Sequence, residues 1–230
     1  MNIIPWLSPP TIINRQGVAR FIKTYARADN WHELDLTIGN LGYGWVHYAL
    51  IRTTGPSRVL CIGSKFGFVP AVCALACRDN GKGVVDFIDA GYDQKNPKHV
   101  NHWGGIGFWK HTNPQKHFAK FGLSNYIQTH VQTTETFVDV HNNKQWKYIH
   151  LDGDHSYEGV KKDYKLFWPR LEKGGYLLLH DIFSNEKTMK ELGSFQYGVK
   201  RFWNELKKQH PGSLEIPGRY GLGIIQKHYH

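Results

Sequence analysis

The chain has 230 residues, 40% of them hydrophobic and 14% aromatic, enough to bury one sizeable core with at most a small appendage. No apolar run approaches the roughly 20 residues that a bilayer-spanning helix needs, so no membrane insertion is expected. The formal net charge of +10 permits an anionic partner, but the basic residues are scattered or in short pairs such as Lys161-Lys162 and Lys207-Lys208, so a solvated basic surface is expected, not a nucleic-acid-binding stripe.

The opening "MNIIPWLSPP" lacks the basic head, apolar middle and small-residue cleavage pattern of a secretory signal, so a cytoplasmic location is the expectation. Residues 1–54 read as a helical extension or lid, with apolar residues at helical spacing in "TIINRQGVARFIKTYA" and "WVHYALIRTT". "GPS" then breaks the chain, and the pattern changes across residues 55–230. "RVLCI" (58–62) is a predicted strand ending at Gly63. It is followed by a helix in "FVPAVCALACR", where Val69, Val72, Cys73 and Ala76 share a face and Pro70 falls in a tolerant first turn. Cys61, Cys73 and Cys77 all sit in apolar stretches, which reads as buried reduced thiols; Cys73 and Cys77 lie four apart, but no second pair completes a metal site.

Further strands are predicted in "GVVDFID" (83–89), "YIQTHV" (126–131), "WKYIHLD" (146–152) and "GYLLLHD" (175–181). Helices are predicted in "NPQKHFAKFG", "TTETFVDVHN", "SYEGVKKDYKLFWPRL" (with "KGG" as its stop) and "GVKRFWNELKKQ". "SLEI" and "LGIIQK" finish the chain as an antiparallel pair joined by "PGRYG". The segment between Asp89 and Asn113 is long for a connection and rich in Tyr, His and Trp, which reads as a lid or an acceptor wall.

Strands separated by helices imply crossover connections and a parallel sheet covered on both faces. Ligands in such sheets bind beyond the carboxyl ends of the strands, where the strand order reverses. Gly63–Gly67, Asp89, Thr133, Asp152–His155 and His180–Asp181 all follow or end predicted strands, so they should share one rim. The loop "GSKFG" would let a ligand approach the backbone, and the following helix amino end favours negative charge. It has neither the dinucleotide G-x-G-x-x-G spacing nor a phosphate-loop ending. Asp89 ends the second strand about 20 residues beyond the glycine loop, where a carboxylate can accept from ribose hydroxyls. The stretch "HLDGDHSYEGV" (150–160) crowds two Asp, two His and a Glu ahead of a helix; Asp154 is either part of the site or a helix cap.

"RVLCIGSKFGFVP", "VVDFIDAG" and "IHLDGDHSYEGVKKDYKLFWPRLEKGGYLLLHD" together resemble the class I S-adenosylmethionine-dependent methyltransferases. The last segment is similar to the small-molecule O-methyltransferases related to macrocin O-methyltransferase, and the resemblance spans about residues 45–228. It implies an α/β, Rossmann-like fold: a mostly parallel seven-stranded sheet with an antiparallel last strand and helices on both faces. It implies S-adenosylmethionine as cofactor, with Gly63, Ser64, Lys65 and Gly67 by the methionine part, Asp89 and Ala90 by the ribose, Thr133 and Thr134 by the adenine, and Asp152 at the junction. It also implies Mg²⁺ on Asp152 and the His180–Asp181 pair, with His155 as the base and the hydroxyl of a small molecule or saccharide as acceptor. Two departures stand out: Cys61 occupies a place where relatives carry an acid that contacts the cofactor, and His180 or Ile182 replaces a hard oxygen ligand. They leave room for a catalytically silent cofactor-binding or scaffold protein, while the net charge alone prompts a nucleic-acid methyltransferase. The amino-terminal helical segment could serve as a dimer element, making a homo-oligomer.

Overall fold

In the computed structural model, residues 14–27, 30–93, 105–184 and 197–228 are described. Two helices, α1 (Arg15–Tyr25) and α2 (Gly44–Thr54), precede β1 (Arg58–Ile62), α3 (Phe68–Asp79) and β2 (Val84–Asp89). Then come α4 (Phe108–His111), α5 (Pro114–Ala119), β3 (Ile127–Val131), α6 (Thr134–Val140), β4 (Trp146–Leu151) and α7 (Tyr157–Phe167). The chain ends with β5 (Leu171–His180), α8 (Val199–Gln209), β6 (Leu214–Ile216) and β7 (Leu222–Gln226). All predicted strands are present.

The seven strands form one sheet in the order β3-β2-β1-β4-β5-β7-β6. β1 to β5 pair in parallel, and β7 runs antiparallel to both β5 and β6. Chain order reverses between β1 and β4, so the crevice beyond their carboxyl ends is the switch point of the sheet. Gly63 and Asp152 end these two strands side by side: the Asp152 amide donates to the Ile62 carbonyl at 2.9 Å.

Alternate residues of each central strand face opposite layers, as the twofold strand period requires. Val59, Cys61, Val85, Phe87 and Tyr148 face α1, α2 and α3, whereas Leu60, Ile62, Ile88, Ile149 and Leu151 face α6, α7 and α8. α3 is buried over nearly its whole length because α2 lies across it, which explains a helix apolar all round. The amino-terminal helices share this core: Phe21 meets Phe68 and Phe121, and Tyr25 stacks on Phe118. Cys61 and Cys73 are buried with their sulfurs 3.7 Å apart, and all three cysteines are free thiols.

One boundary differs from the sequence reading. The stop of α7 is not "KGG" but Pro169: Trp168 still has helical backbone and donates to the Tyr164 carbonyl, but Pro169 has no amide N–H to continue the ladder. β5 begins at Leu171, and Glu172–Gly175 form an irregularity in its pairing with β4, with Gly174 at φ +71°. The short α4 was not foreseen; it lies within the long segment after β2, of which residues 94–104 fall outside the described residues.

Candidate functional site: a pocket at the switch point

A pocket opens at the carboxyl ends of β1, β2, β3 and β4. Gly63, Ser64, Lys65, Asp89 and Ala90 line it, as do Thr133 and Thr134, and so do Asp152, His155 and His180. Two predicted site residues lie behind this wall. Gly67 caps α3 at φ +90°, backed by the rings of Phe118 and Trp109, and Asp181 is fully buried beneath the His155 ring.

Gly63 is fixed by close packing. Its φ is +70°, and a Cβ there would stand 2.1 Å from the Asp152 carbonyl oxygen. A glycine thus lets the two switch-point strands end in contact. Cys61 points from β1 into the opposite helical layer, so it cannot reach a ligand here. Asp89 sits at the end of β2, where its Oδ1 accepts from the Gly91 amide at 2.8 Å. Burial pushes its carboxyl up to about 6 despite amide hydrogen bonds from Gly91 and Ser64. Across the pocket, Thr133 caps α6 and Thr134 Oγ1 donates to Asp163 at 2.8 Å.

Asp163 was missed from sequence, although a carboxylate between Val160 and Phe167 on the apolar face of α7 was the available signal. It is 4% exposed and lines the pocket, and its second oxygen makes no hydrogen bond among the described residues. Burial pushes its carboxyl up to about 7, against the hydrogen bond from Thr134 and the charge of Lys162. Trp31 and His32 also line the pocket; they come from an irregular stretch whose sequence has no periodicity to place it.

The deepest part of the site is a cluster of carboxylates and imidazoles. His155 Nε2 lies 3.0 Å from Asp152 Oδ1, and its Nδ1 lies 3.1 Å from Asp181 Oδ2. His180 Nε2 donates to the Trp31 carbonyl at 3.0 Å, turning Nδ1 toward Asp152 Oδ1 at 3.3 Å and Asp181 Oδ1 at 3.4 Å. Asp181 has a left-handed backbone, φ +66°, which is uncommon for a non-glycine residue. Ser184 Oγ donates to its Oδ1 at 3.0 Å and the Tyr197 hydroxyl to its carbonyl, which holds that conformation.

Burial disfavours every charge in this cluster, but the charges also compensate one another. The Asp181 and Asp152 carboxylates outweigh burial and raise His155, and they raise His180 well above the usual imidazole range. Burial likewise opposes ionisation of Asp152 and Asp181, yet the His180 charge outweighs it and holds both low. Around them, burial keeps three further imidazoles neutral: His32, lowered to about 3, His150, and His47, which bonds the Tyr148 hydroxyl at 2.5 Å. Asp154 belongs to the turn: its Oδ1 accepts from the Ser156 amide at 2.8 Å, while Ser156 caps α7.

Asp152, His155 and Asp181 each offer one ligand atom, all within 4.8 Å of one another, and His180 Nδ1 faces both carboxylates. This donor set fits a divalent cation. The sequence reading assigned the metal to Asp152, His180 and Asp181 and kept His155 apart as a base; the structure brings all four together. No helix among the described residues is long and apolar enough to cross a membrane.

The fold recurs in solved structures. The O-methyltransferase TomG from Streptomyces achromogenes, determined with S-adenosylmethionine, is 12% identical over 97% of this chain and 93% of its own, with a TM-score of 0.58. An O-methyltransferase from Bacillus cereus in complex with S-adenosylhomocysteine is 16% identical over 96% and 93%, with a TM-score of 0.58. The S-adenosylhomocysteine-bound methyltransferase PaMTH1 from Podospora anserina is 14% identical over 95% and 88%, with a TM-score of 0.61. Among curated sequences, the uncharacterized protein y4gI of Sinorhizobium fredii is 22% identical over 220 residues; they make up 90% of this chain, which spans only 22% of that relative. Residues 60–182 match the methyltransferase-domain family, a stretch that holds Gly63, Asp89, Asp152, His155 and Asp181, and the chain belongs to that family.

Proposed function

We propose that the chain transfers a methyl group from S-adenosylmethionine to a hydroxyl of a small molecule or saccharide. The observation that carries this reading is one continuous pocket joining Asp89, Thr133 and Thr134 to Gly63 at the switch point and on to the His155–His180 cluster. The structurally similar O-methyltransferases, two of them solved with the cofactor or its demethylated product, support it.

In this reading Asp89 accepts from the ribose hydroxyls, and the free oxygen of Asp163 accepts from the adenine amine between the Thr133–Thr134 and Gly153 walls. Gly63 and Ser64 admit the methionine part. The acceptor lies against Trp31, Phe66 and Phe108, with Lys65 Nζ 4.8 Å above the Trp31 ring and the Arg27 guanidinium 4.2 Å above Phe66. Such a wall suits a flat or sugar-like acceptor carrying negative charge. The acceptor oxygen bonds to the methyl carbon as the carbon–sulfur bond breaks, leaving S-adenosylhomocysteine, and the hydroxyl proton passes to solvent water at the mouth of the pocket. The protein mainly positions the two reactants in line. A divalent cation on Asp152 and Asp181 would lower the pKa of the acceptor hydroxyl. With both ring nitrogens against carboxylates, His155 is better placed to organise that charge than to collect the proton.

Isothermal calorimetry with S-adenosylhomocysteine tests the cofactor assignment. The folded chain should bind it, and Asp89→Ala should weaken binding by about tenfold or more. Folded protein that gives no binding heat at any concentration removes the reading.

A further inference from the structure

We infer that the cluster at the carboxyl ends of β4 and β5 is a nitrogen-rich metal centre, built for a divalent first-row transition ion such as Mn²⁺, Co²⁺ or Zn²⁺ rather than for Mg²⁺. The inference deepens the proposed metal-assisted methyl transfer and rests on it; it adds the class of ion and makes His155 and His180 ligands.

The first argument is orientation. The hydrogen bond from His180 Nε2 to the Trp31 carbonyl fixes that ring so that only Nδ1 turns inward. Such a carbonyl partner on the distal nitrogen is the usual support of a metal-bound imidazole. His180 Nδ1 lies 3.3 and 3.4 Å from the two carboxylates, yet neither it nor Asp181 Oδ2 makes an aligned hydrogen bond among the described residues. Both atoms are fully buried, and buried polar groups almost always find partners. His180 Nδ1 and the two carboxylates thus converge on one point, beside the His155 ring, in the arrangement ligands take around a common centre.

The second argument is the backbone. Asp181 is held in the left-handed region by Ser184 and Tyr197, a conformation that persists only where the surroundings impose it. This turn carries the Asp181 carboxylate under the His155 ring, 3.1 Å from Nδ1. Asp152 and His155 come from one strand end and His180 and Asp181 from the next, so the set is built by the parallel pairing of β4 with β5.

The third argument is donor chemistry. Mg²⁺ demands near-octahedral oxygen ligation and keeps several waters. Here two imidazoles stand beside two carboxylates in a closely packed, nearly inaccessible site. Imidazole ligands favour the later divalent ions of the first transition row. His32 lies beside His180 with ring centroids 4.4 Å apart, and His150 Nε2 stands 3.8 Å from Asp152 Oδ2, so further imidazoles pack around the cluster.

The test uses the full chain, stripped with a chelator and titrated separately with Mg²⁺, Mn²⁺, Co²⁺ and Zn²⁺, with affinity read by calorimetry and Co²⁺ ligation by visible absorption. Co²⁺ and Zn²⁺ should bind at least about 100-fold more tightly than Mg²⁺. Cu²⁺-loaded protein should show nitrogen hyperfine coupling in its electron paramagnetic resonance spectrum. His155→Gln and His180→Asn should each weaken Co²⁺ by about 10- to 100-fold and alter its spectrum, while S-adenosylhomocysteine binding persists as evidence of folding. Should a variant fail to fold, the wild-type Cu²⁺ spectrum decides alone. Mg²⁺ affinity within tenfold of Co²⁺, or spectra without nitrogen coupling, overturns the inference. A nitrogen-ligated ion in a chain that binds no cofactor would keep the metal centre and remove the methyl-transfer reading; cofactor binding without such an ion would do the reverse.

Discussion

Replacing Asp163 with Asn should make the protein more stable at alkaline pH and a poorer binder of cofactor. Asp163 lies on the buried face of α7, 4% exposed, and burial lifts its carboxyl from 3.8 to about 7. In the unfolded chain it ionises near the ordinary Asp value, about 3.9. The sign follows directly: between these two values the unfolded state sheds a proton that the folded state retains, so stability falls as pH rises through this window. Each pH unit is worth about 1.4 kcal/mol, so the group withdraws about 2–3 kcal/mol between pH 5 and pH 7 and little more above that. Asn keeps the shape and can still accept from Thr134, but has no proton to lose. Urea denaturation of both proteins without cofactor, at pH 5 and pH 8, should show the variant gaining about 2–3 kcal/mol on the wild type across the interval. A stability difference that stays constant within about 0.5 kcal/mol would refute the reasoning, because Asp163 would then titrate alike in both states. The same variant should bind S-adenosylhomocysteine about tenfold more weakly, since an amide nitrogen replaces an acceptor. Gain in stability with loss of binding is the mark of a group retained for function.

Asp86, a buried carboxylate away from the pocket, should behave oppositely. Burial would raise Asp86, but hydrogen bonds from His130 and Trp146 and the charge of Lys144 outweigh it and hold the carboxyl at about 2, so its stabilising contribution is present above the ordinary Asp range and lost as pH falls toward 2. Asp86→Ala should therefore destabilise by about 3–5 kcal/mol in urea melts at pH 7, and a change under about 1 kcal/mol would show the cluster to be dispensable. Gly63→Ala forces a Cβ against the Asp152 carbonyl at 2.1 Å in a left-handed backbone, so it should abolish cofactor binding, whereas Gly122→Ala, also left-handed but with open space around it, should leave binding unchanged. Cofactor affinity in the wild type should decline below about pH 6 as Asp89 takes up a proton and loses its ribose-accepting charge; calorimetry that shows a flat profile from pH 8 to pH 5 argues against Asp89 as the ribose ligand.

The element order was legible because alternating periods are a local property: "RVLCI" and "WKYIHL" read as strands from their own residues, and Ser156 announces α7 as its cap. Boundaries were less legible where two signals compete, as at "KGG", whose glycines serve a strand irregularity while Pro169 had already ended the helix. Short α4 carries too few residues to display a period. The candidate site followed the same division. Gly63, Asp89, Asp152, His155 and His180 were legible because they end predicted strands, and strand ends of a parallel sheet share a rim.

What the chain determined by itself was the order of elements, the residues standing at their ends, and membership in a methyltransferase-like pattern. What only the tertiary structure decided was which of those residues touch, and through which atoms. The Trp31 carbonyl reaches His180 across 149 positions, Asp163 enters the pocket from the middle of a helix, and Asp181 turns under His155 instead of facing the open rim. Each depends on the register between β4 and β5 and on helices packed against them, and pairwise register over long sequence separations is not written in any local window.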